Sequence, residues 1–598
     1  MIAFLLNKPI RVLTLVALFL ASCTKSCSGS SESSDAPGTT GGKKIFQSFR
    51  TSVHRSLDPV KQFDQASAEI VTNLYDTLLS YHYLKRPYQL VPGLLEKMPE
   101  AKADDPTTFV FTLRQGVKFI DDPCFADGKG REMTIDDVIY TIKRFADFNE
   151  NVQSYTLIQG FVVGMEDFRE KTKQAGKSVD YATLEIEGVK KTGPYEMTVK
   201  FTRDNPLAFF PFAFSGMSIV PHEAVKKYGE DFAQHPVGSG PFYMKDYQRR
   251  GTMILAKNPN YWDKYPTDGD PGDAEAGFLK DAGKQLPIVD EVHLPLIEES
   301  QPAMLKFLNG EIDQIGIRQD DFNKMAFRDD KGEFHLKGEY AEKYNIFTEV
   351  DLRTDYYVFN MKDPLIGKNK ALREAIGYAL DTGAWIDLLR NGRGVVSDSV
   401  VPPAIAGSAT DTGSKYYRKN IELAKQKLAE AGYPEGKGLP TLVMEYRSTM
   451  KETRQDYEFL RDELAGIGIK IQGNFQTFSA FLQKMDAGNF QISEAAWGAD
   501  YPDAENFYQL LYGPNVVPGP NTGSYDNPEY NKLYEETKYM KNGPERFEKF
   551  KKMNEILKDD VPMFFRYSPI GVGMMQKNLK NSKRNVMLAT GYRFYNKE

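Results

Sequence analysis

Cysteine and histidine are both scarce in this sequence, whose 598 residues include three Cys and six His. None of the histidines stands at the spacing of a transition-metal site, so we predict neither a protein-built metal centre nor a cofactor. Cys27 lies in a stretch rich in Ser and Gly, where a structural disulfide with Cys124 is not expected. The fold is therefore predicted to be independent of disulfide bonds.

A surplus of positive charge is also missing, because 76 Lys and Arg face 82 Asp and Glu, for a net charge of −6. A nucleic-acid-binding protein would present a basic surface, so nucleic acid is not a predicted partner. The hydrolase motifs Gly-X-Ser-X-Gly and His-Glu-X-X-His are absent as well. The chain is too long for a single hydrophobic core, and two or three domains are predicted.

Long apolar runs are missing except near the N-terminus, where residues 12–20 follow Lys8 and Arg11. The run is too short to span a bilayer as a helix, so residues 1–22 are predicted to be a secretory signal peptide. Leu20-Ala21-Ser22-Cys23 resembles the lipobox of bacterial lipoproteins, which implies cleavage before Cys23 and acylation of that cysteine. Residues 23–44 are predicted to be a flexible tether. We expect an exported protein of the cell envelope, lipid-anchored on a periplasmic or extracellular face.

The first half of the chain mixes strands and helices. Helical spacing predicts a helix within 64–79, and the capping box formed by Thr134 and Asp137 predicts the start of another. Strands are predicted at 109–113, 195–201 and 252–256, and a helix at 301–309. Residues 121–132 and 265–285 are interpreted as surface insertions.

From residue 357 onwards, predicted strands alternate with predicted helices. The strands are 357–361, 442–446, 467–471 and 490–496, and the helices are 370–380, 384–389, 421–431, 453–465 and 478–485. This order predicts a mostly parallel sheet covered on both faces. Helices at 531–540 and 545–557 precede a predicted strand at 561–566 that returns to the first domain. Crossings near 289–296 and 558–564 would then form a hinge.

One short segment, 497–507, combines an indole, a small-residue turn and an acid. Trp497 and Asp500 follow the last strand of the α/β region, where ligands bind in open sheets. Two interpretations remain open from these residues alone. Either the pair anchors a ligand, or Trp497 is a core residue and Asp500 caps the turn before Pro502.

Several segments in this order resemble the family 5 extracellular solute-binding proteins, the peptide-binding proteins that feed ABC importers. The matching stretches are Ser56-Leu57-Asp58-Pro59, residues 73–78, residues 111–119, Asp136-Asp137-Val138, residues 235–242, residues 286–292, residues 309–313 and residues 497–503. The resemblance runs from about residue 56 to residue 596. It implies an α/β fold, a two-lobed periplasmic-binding-protein-like clamp of type II, with an extra third domain beside the first lobe and without catalytic chemistry.

The resemblance also implies the layout and the site. The first lobe is expected to comprise 45–80, 185–295 and 562–598, the small extra domain 81–184, and the second lobe 296–561. In the family's peptide-binding members, an aspartate at the position of Asp500 takes the peptide's α-ammonium, while strand-like backbone pairing holds the ligand. Ala495, Ala496, Trp497 and Gly498 are the expected pairing residues, with Tyr501 as a further candidate. The implied partners are a short peptide, an ABC permease in the cytoplasmic membrane and, through the lipid anchor, the membrane itself, with the protein acting as a monomer.

Three alternatives remain open in the sequence. Asp500 and Asp503 could be the paired carboxylates of an acid hydrolase, although no nucleophile–base pair accompanies them. The same fold could carry a metal chelate, haem, an opine or a sugar, none of which needs an ammonium acceptor. The protein could also be a surface sensor without a transporter. Asp503 and Glu505 are either acids that favour basic ligands or solvated loop acids.

Overall fold

The computed structural model describes residues 42–62, 64–176, 179–397, 399–408, 419–517 and 519–598. The predicted signal peptide, the predicted acylation site Cys23 and nearly all of the predicted tether lie outside these residues. No helix in the described part of the chain is both long and apolar enough to cross a membrane.

The described strands are numbered here in chain order. They are β1 Ile45–Gln47, β2 Leu79–Tyr81, β3 Leu90–Pro92, β4 Glu100–Lys102, β5 Asp105–Thr112, β6 Val189–Gly193, β7 Glu196–Lys200, β8 Phe242–Tyr247, β9 Thr252–Lys257, β10 Glu291–Pro295 and β11 Gln314–Gly316. The remainder are β12 Ala326–Arg328, β13 Phe334–Leu336, β14 Tyr344–Val350, β15 Arg353–Phe359, β16 Gly394–Val396, β17 Leu442–Tyr446, β18 Ile471–Phe475, β19 Ile492–Gly498, β20 Met563–Gln576, β21 Leu579–Lys580 and β22 Asn596–Lys597.

The described α-helices are numbered in the same way. They are α1 Gln65–Leu74, α2 Ile135–Ala146, α3 Met165–Ala175, α4 His222–Tyr228, α5 Ser300–Leu308, α6 Gln319–Met325, α7 Gly338–Lys343, α8 Lys370–Ala379, α9 Thr382–Arg390, α10 Ile421–Glu430, α11 Lys451–Ala465, α12 Phe478–Asp486, α13 Glu505–Tyr508, α14 Pro528–Thr537 and α15 Pro544–Asp560. The predicted capping box of α2 is confirmed, because Asp137 Oδ2 accepts the Thr134 N–H over 2.9 Å.

Two four-stranded sheets share one hydrophobic core. The first has the order β1-β10-β9-β8, and the second, smaller sheet has the order β4-β5-β7-β6. Side chains of both sheets, such as Phe46 and Phe111, belong to one continuous buried cluster. We call the part of the chain built on these two sheets the first lobe. The expected boundary at residue 184 divides the smaller sheet, because β6 and β7 pair with β5 on the other side of it.

The second lobe is built on a large mixed sheet of order β11-β20-β15-β19-β17-β18, and β14 and β16 also pair with β20. The prediction of a mostly parallel sheet was wrong. Parallel pairing occurs between β17 and β18 and between β17 and β19, whereas β15 and β20 run antiparallel to their neighbours. Single-helix crossovers through α11 and α12 join β17, β18 and β19, and only such crossovers impose parallel pairing.

The strand predicted at 561–566 lies in the second lobe, contrary to its expected return to the first. It begins the long strand β20, whose Phe564 and Phe565 pair with Tyr357 and Tyr356 of β15. The chain re-enters the core of the first lobe at Leu579. The second crossing therefore follows Gln576 rather than lying near 558–564, and residues 562–576 are not part of the first lobe.

The strand predicted at 467–471 begins later, as β18 Ile471–Phe475. Ile467 and Ile469 are buried, but Gly468 between them has a φ of +91° and touches the backbone of Glu435. A turn rather than a strand therefore buries these two side chains. The alternating isoleucines at 467, 469 and 471 therefore reflect burial and do not mark a strand.

Candidate ligand-binding cleft

A cavity of about 790 Å³ lies between the first lobe and the segment that follows β19. Most of its wall comes from the first lobe, while Ala499 and Asp500 contribute from the second. We call this cavity the cleft. Its size falls within the range of small-molecule sites.

Asn506 organises the turn that carries Asp500. Its Oδ1 accepts hydrogen bonds from the Trp497 indole Nε1 and from the Asp500 backbone N–H, both over 3.0 Å, and its Nδ2 donates to Asp500 Oδ2 over 2.9 Å. Asn506 is fully buried on α13. One amide thus fixes the indole, the turn and one carboxylate oxygen, while Asp500 Oδ1 has no hydrogen bond to any described residue.

Asp500 is an exposed residue that lines the cleft, and the cavity wall takes away part of the water around its carboxylate. Loss of water around it raises the pKa of Asp500 above its ordinary value, and the hydrogen bond from Asn506 opposes this effect. Asp500 forms no ion pair within 4.0 Å among the described residues. It is a partly desolvated anion with one oxygen available, which suits a cationic ligand group.

Asp503 and Glu505 do not face the cleft, so both interpretations of these acids, basic-ligand contacts and solvated loop acids, were wrong. Asp503 is buried against Arg546, which donates to its two oxygens over 2.7 and 2.9 Å. Glu505 is buried and accepts hydrogen bonds from Tyr501 over 2.6 Å and from the hydroxyl of Tyr534. Both acids are therefore held by partners within the second lobe.

The other predicted residues lie around the cleft rather than in its wall. Ala495 and Ala496 pair with Tyr356 and Asp355 of β15, and Gly498 pairs with Arg353. On the other side, β17 pairs with β19 only through Met444–Ile492 and Glu445–Ser493. Beyond Ser493, this edge of β19 has no strand partner in the described chain. Its backbone groups remain available to an added strand.

The first-lobe wall contains a buried carboxylate, Asp76. It accepts hydrogen bonds from Ser239 and Tyr261, each over 3.0 Å, and from the Trp262 indole over 3.2 Å. Burial raises the pKa of Asp76 to about 6, although these bonds and Arg593 favour the charged form. Ser239 reaches Asp76 because its neighbours Gly238 and Gly240 allow the backbone to approach the end of α1 closely. A Cβ atom at Gly238 would lie 2.1 Å from the Leu74 carbonyl oxygen.

Aromatic contacts join the two lobes around the cleft. Phe210, which lines the cavity from the 3₁₀ turn Pro206–Ala213, stacks on Tyr501 with a centroid separation of 5.1 Å. Outside the residues that line the cavity, the guanidinium of Arg203 lies 4.6 Å from the ring centroid of Tyr539. Tyr88 donates to Glu349 across the lobes over 2.8 Å. The lobes are thus in direct contact at these three places.

Two clusters in the described chain have potential metal-ligand atoms. In the cluster of Asp137, His222 and Glu223, the two carboxylates are already bound by Arg131 over 2.6 to 2.8 Å. The second cluster consists of Asp329, Glu333 and His335 in the β12–β13 hairpin. Neither cluster belongs to the cleft wall.

Two lobes that enclose a polar cleft with an unpaired carboxylate define a periplasmic-type binding protein. The model of the bacterial extracellular solute-binding proteins, family 5 Middle, matches residues 89–518. The chain belongs to this family, whose members are binding proteins for transport rather than enzymes. The hydrolase interpretation of Asp500 and Asp503 is therefore wrong.

Relatives in the family span nearly the whole chain. Oligopeptide-binding protein OppA of Bacillus subtilis is 24% identical over 540 residues, covering 88% of this chain and 87% of the relative. Heme-binding protein A of Haemophilus influenzae is 22% identical over 576 residues, covering 95% of this chain and 94% of the relative. A solved structure, the ABC transporter-associated periplasmic binding protein DppA of Helicobacter pylori with peptide STSA, has a TM-score of 0.69 and 20% identity. The match covers 93% of this chain and 99% of the chain in that structure. The predicted two-lobed α/β fold is confirmed.

Sequence reasoning missed Asn506 and Asp76. Asn506 stands six residues after Asp500, between Glu505 and the apolar Phe507. The available signal was an amide side chain close to the predicted turn. Asp76 had no comparable signal, because its three hydrogen-bond donors come from segments more than 160 residues away.

Proposed function

We propose that the protein captures short peptides between its lobes and delivers them to an ABC importer. The observation that carries the proposal is the Asp500 carboxylate, which faces the cleft with one unbonded oxygen and no ion-pair partner in the described chain. A peptide α-ammonium would supply the missing charge and the missing hydrogen bond. A charge-assisted hydrogen bond of this kind contributes about 1.5–3 kcal/mol.

The open edge of β19 would provide the second interaction. A peptide lying beside Ala495, Ala496, Trp497 and Gly498 would extend the sheet by backbone hydrogen bonds, which do not depend on the ligand's side chains. Trp497 is held by Asn506 and gives this edge a rigid end next to Asp500. Such backbone pairing would give an affinity that depends little on the amino-acid sequence of the peptide.

Family membership alone does not set the cargo, since one relative is named for haem and another for oligopeptides. The free carboxylate favours a ligand with an ammonium group over a haem, a metal chelate or a sugar. We further propose that the ligand is enclosed by closure of the lobes, that Cys23 is acylated, and that the protein acts as a monomer.

Mass spectrometry of the denatured protein tests the proposal, since it identifies the co-purified ligand without assuming a class. We expect short peptides; a haem or sugar as the sole ligand would refute the peptide assignment. Calorimetric titration with trialanine and N-acetyl-trialanine then tests the anchor. The free-amine peptide should bind and the acetylated peptide should bind at least tenfold more weakly, whereas equal affinities would refute the role of Asp500.

Small-angle scattering of the protein, first freed of ligand, with and without that peptide tests closure. A smaller radius of gyration with peptide is expected, and superimposable profiles would refute ligand-driven closure.

A further inference from the structure

Five aspartates line the cleft, and three of them are already paired. Asp64 caps α1 by accepting from Ser67 N over 2.9 Å. Asp76 accepts the three hydrogen bonds described above, and Asp268 accepts from His82 over 3.1 Å and pairs with Lys85. In the described chain, Asp500 and Asp263 are the two of these five that keep a carboxylate oxygen without a hydrogen bond and have no cation within 4.0 Å.

Asp263 lies at the base of the inserted segment 265–285, on the first-lobe wall. Its backbone is fixed, because its carbonyl oxygen accepts from Leu286 N over 3.0 Å and from Gln285 Nε2 over 2.7 Å. Its Oδ1 accepts only the backbone N–H of Lys264, over 2.8 Å. Its Oδ2 has no hydrogen bond to any described residue, so a rigid backbone presents an unbonded carboxylate oxygen in the cavity wall.

The nearest guanidinium groups do not neutralise Asp263 directly. Arg593 donates to the Tyr261 hydroxyl over 2.7 Å, and Arg114 donates to the Gly93 carbonyl over 3.0 Å while lying 4.7 Å from the Trp262 ring centroid. No cationic nitrogen in the described chain lies within 4.0 Å of the Asp263 carboxylate. Both arginines favour its charged form, but burial prevails and raises the pKa of Asp263.

We propose that Asp263 is a specificity residue that selects peptides bearing a second cation, the ammonium or guanidinium of a basic side chain, while Asp500 takes the α-ammonium. This inference rests on the proposed function. Each of the two carboxylates has an oxygen without a hydrogen bond in the wall of one cavity and no cation within 4.0 Å in the described chain, so a ligand with two cations would pair with both. Asp503 and Glu505, the acids nearest to Asp500 in sequence, are buried elsewhere and play no part in the selection.

A lysine scan of trialanine tests the proposal by calorimetry. Lysine is placed at each position in turn and compared with norleucine, which has a similar length but no charge. At one position at least, lysine should bind about tenfold to a hundredfold more tightly than norleucine. In Asp263→Asn that ratio should fall to within about threefold of unity, while Asp246→Asn, at an exposed aspartate of the first lobe outside the cleft wall, should retain it.

The wild-type scan alone is decisive if Asp263→Asn fails to fold. Equal affinities for lysine and norleucine at every position would refute charge selection, and so would a preference that persists in a folded Asp263→Asn variant. In either of these cases, the proposed function still stands if N-acetylation of the lysine and norleucine peptides weakens their binding. If no peptide of the scan binds, the proposed function and this inference both fail.

Discussion

Asn506 and Asp500 are joined by two hydrogen bonds of opposite direction: the Asp500 backbone N–H donates to Asn506 Oδ1 over 3.0 Å, and Asn506 Nδ2 donates to Asp500 Oδ2 over 2.9 Å. The side chain that fixes the turn therefore also fixes the carboxylate. This arrangement leaves Oδ1 as the available acceptor and removes the need to order Asp500 when a ligand arrives.

Replacing Asn506 by Leu should weaken peptide binding about tenfold to a hundredfold. The Trp497 and Asp500 N–H groups would lose their acceptor and the carboxylate would lose its fixed orientation, each at a cost of about 1–3 kcal/mol. Calorimetry with trialanine measures the change, and thermal unfolding confirms that the variant is folded. Gln509→Ala is the matched control, since the Gln509 side chain donates to the backbone carbonyl of Asn506 and not to its side-chain amide. Wild-type affinity in a folded Asn506→Leu variant would exclude this positioning role.

Asp500→Asn should abolish binding of free-amine peptides and yet stabilise the ligand-free protein at neutral pH. Because the pKa of Asp500 is raised on folding, the native state holds its proton more tightly than the unfolded state does. The contribution of this group to stability is therefore greatest below its unfolded pKa and is lost as pH rises through the folded one. Denaturant unfolding at pH 7 should show a slightly more stable variant; a clear loss of stability would mean that Asp500 is a structural residue.

Part of the fold and of the candidate site could be predicted from the sequence alone. The two-lobed fold and the Trp497–Asp500 turn could be predicted because local patterns and the order of motifs carry them. The antiparallel direction of β15 and β20 could not be predicted. Both strands pair with strands distant in the chain, and local periodicity does not encode whether such a pair is parallel or antiparallel. Burial of Asp503 was equally hidden, because its partner Arg546 lies 43 residues later on α15. Surface acids and buried ion-paired acids look the same in a sequence.

Asp76 should make the stability of the first lobe depend on pH. Its pKa rises from 3.8 to about 6 on folding, so the native state binds more protons between these values and stability falls as pH rises through that window. The loss from this one group is on the order of 3 kcal/mol. We expect the stability difference between wild type and Asp76→Asn, measured by denaturant unfolding, to change by that order between pH 4 and pH 7. A difference that is constant with pH would contradict the raised pKa.

The contact between Arg203 and Tyr539 should favour the closed arrangement of the lobes without touching the ligand. Neither residue lines the cleft, and the guanidinium lies 4.6 Å from the ring centroid. An exposed cation–π contact contributes about 0.5–1 kcal/mol, so Arg203→Ala should weaken peptide binding about twofold to fivefold. Arg203→Lys should lose less, and Arg250→Ala, which removes an exposed arginine elsewhere in the first lobe, should lose nothing. An unchanged affinity in Arg203→Ala would show that this contact does not contribute to closure.

The buried pair Asp503–Arg546 should be required for folding rather than for ligand contact. Arg546 and Asp503 are 1% and 5% exposed and share a bidentate ion pair, with a further hydrogen bond from Arg546 to the Thr537 carbonyl over 3.0 Å. Arg546→Met leaves the Asp503 charge buried without a partner, which should cost about 3–5 kcal/mol of unfolding free energy. The double variant Asp503→Leu/Arg546→Met should recover much of that loss, because no uncompensated charge remains. Since neither side chain reaches the cleft, peptide affinity measured well below the unfolding temperature should stay within about threefold of wild type in the double variant. A double variant that is as stable as wild type but binds more than tenfold more weakly would instead place this pair in ligand recognition.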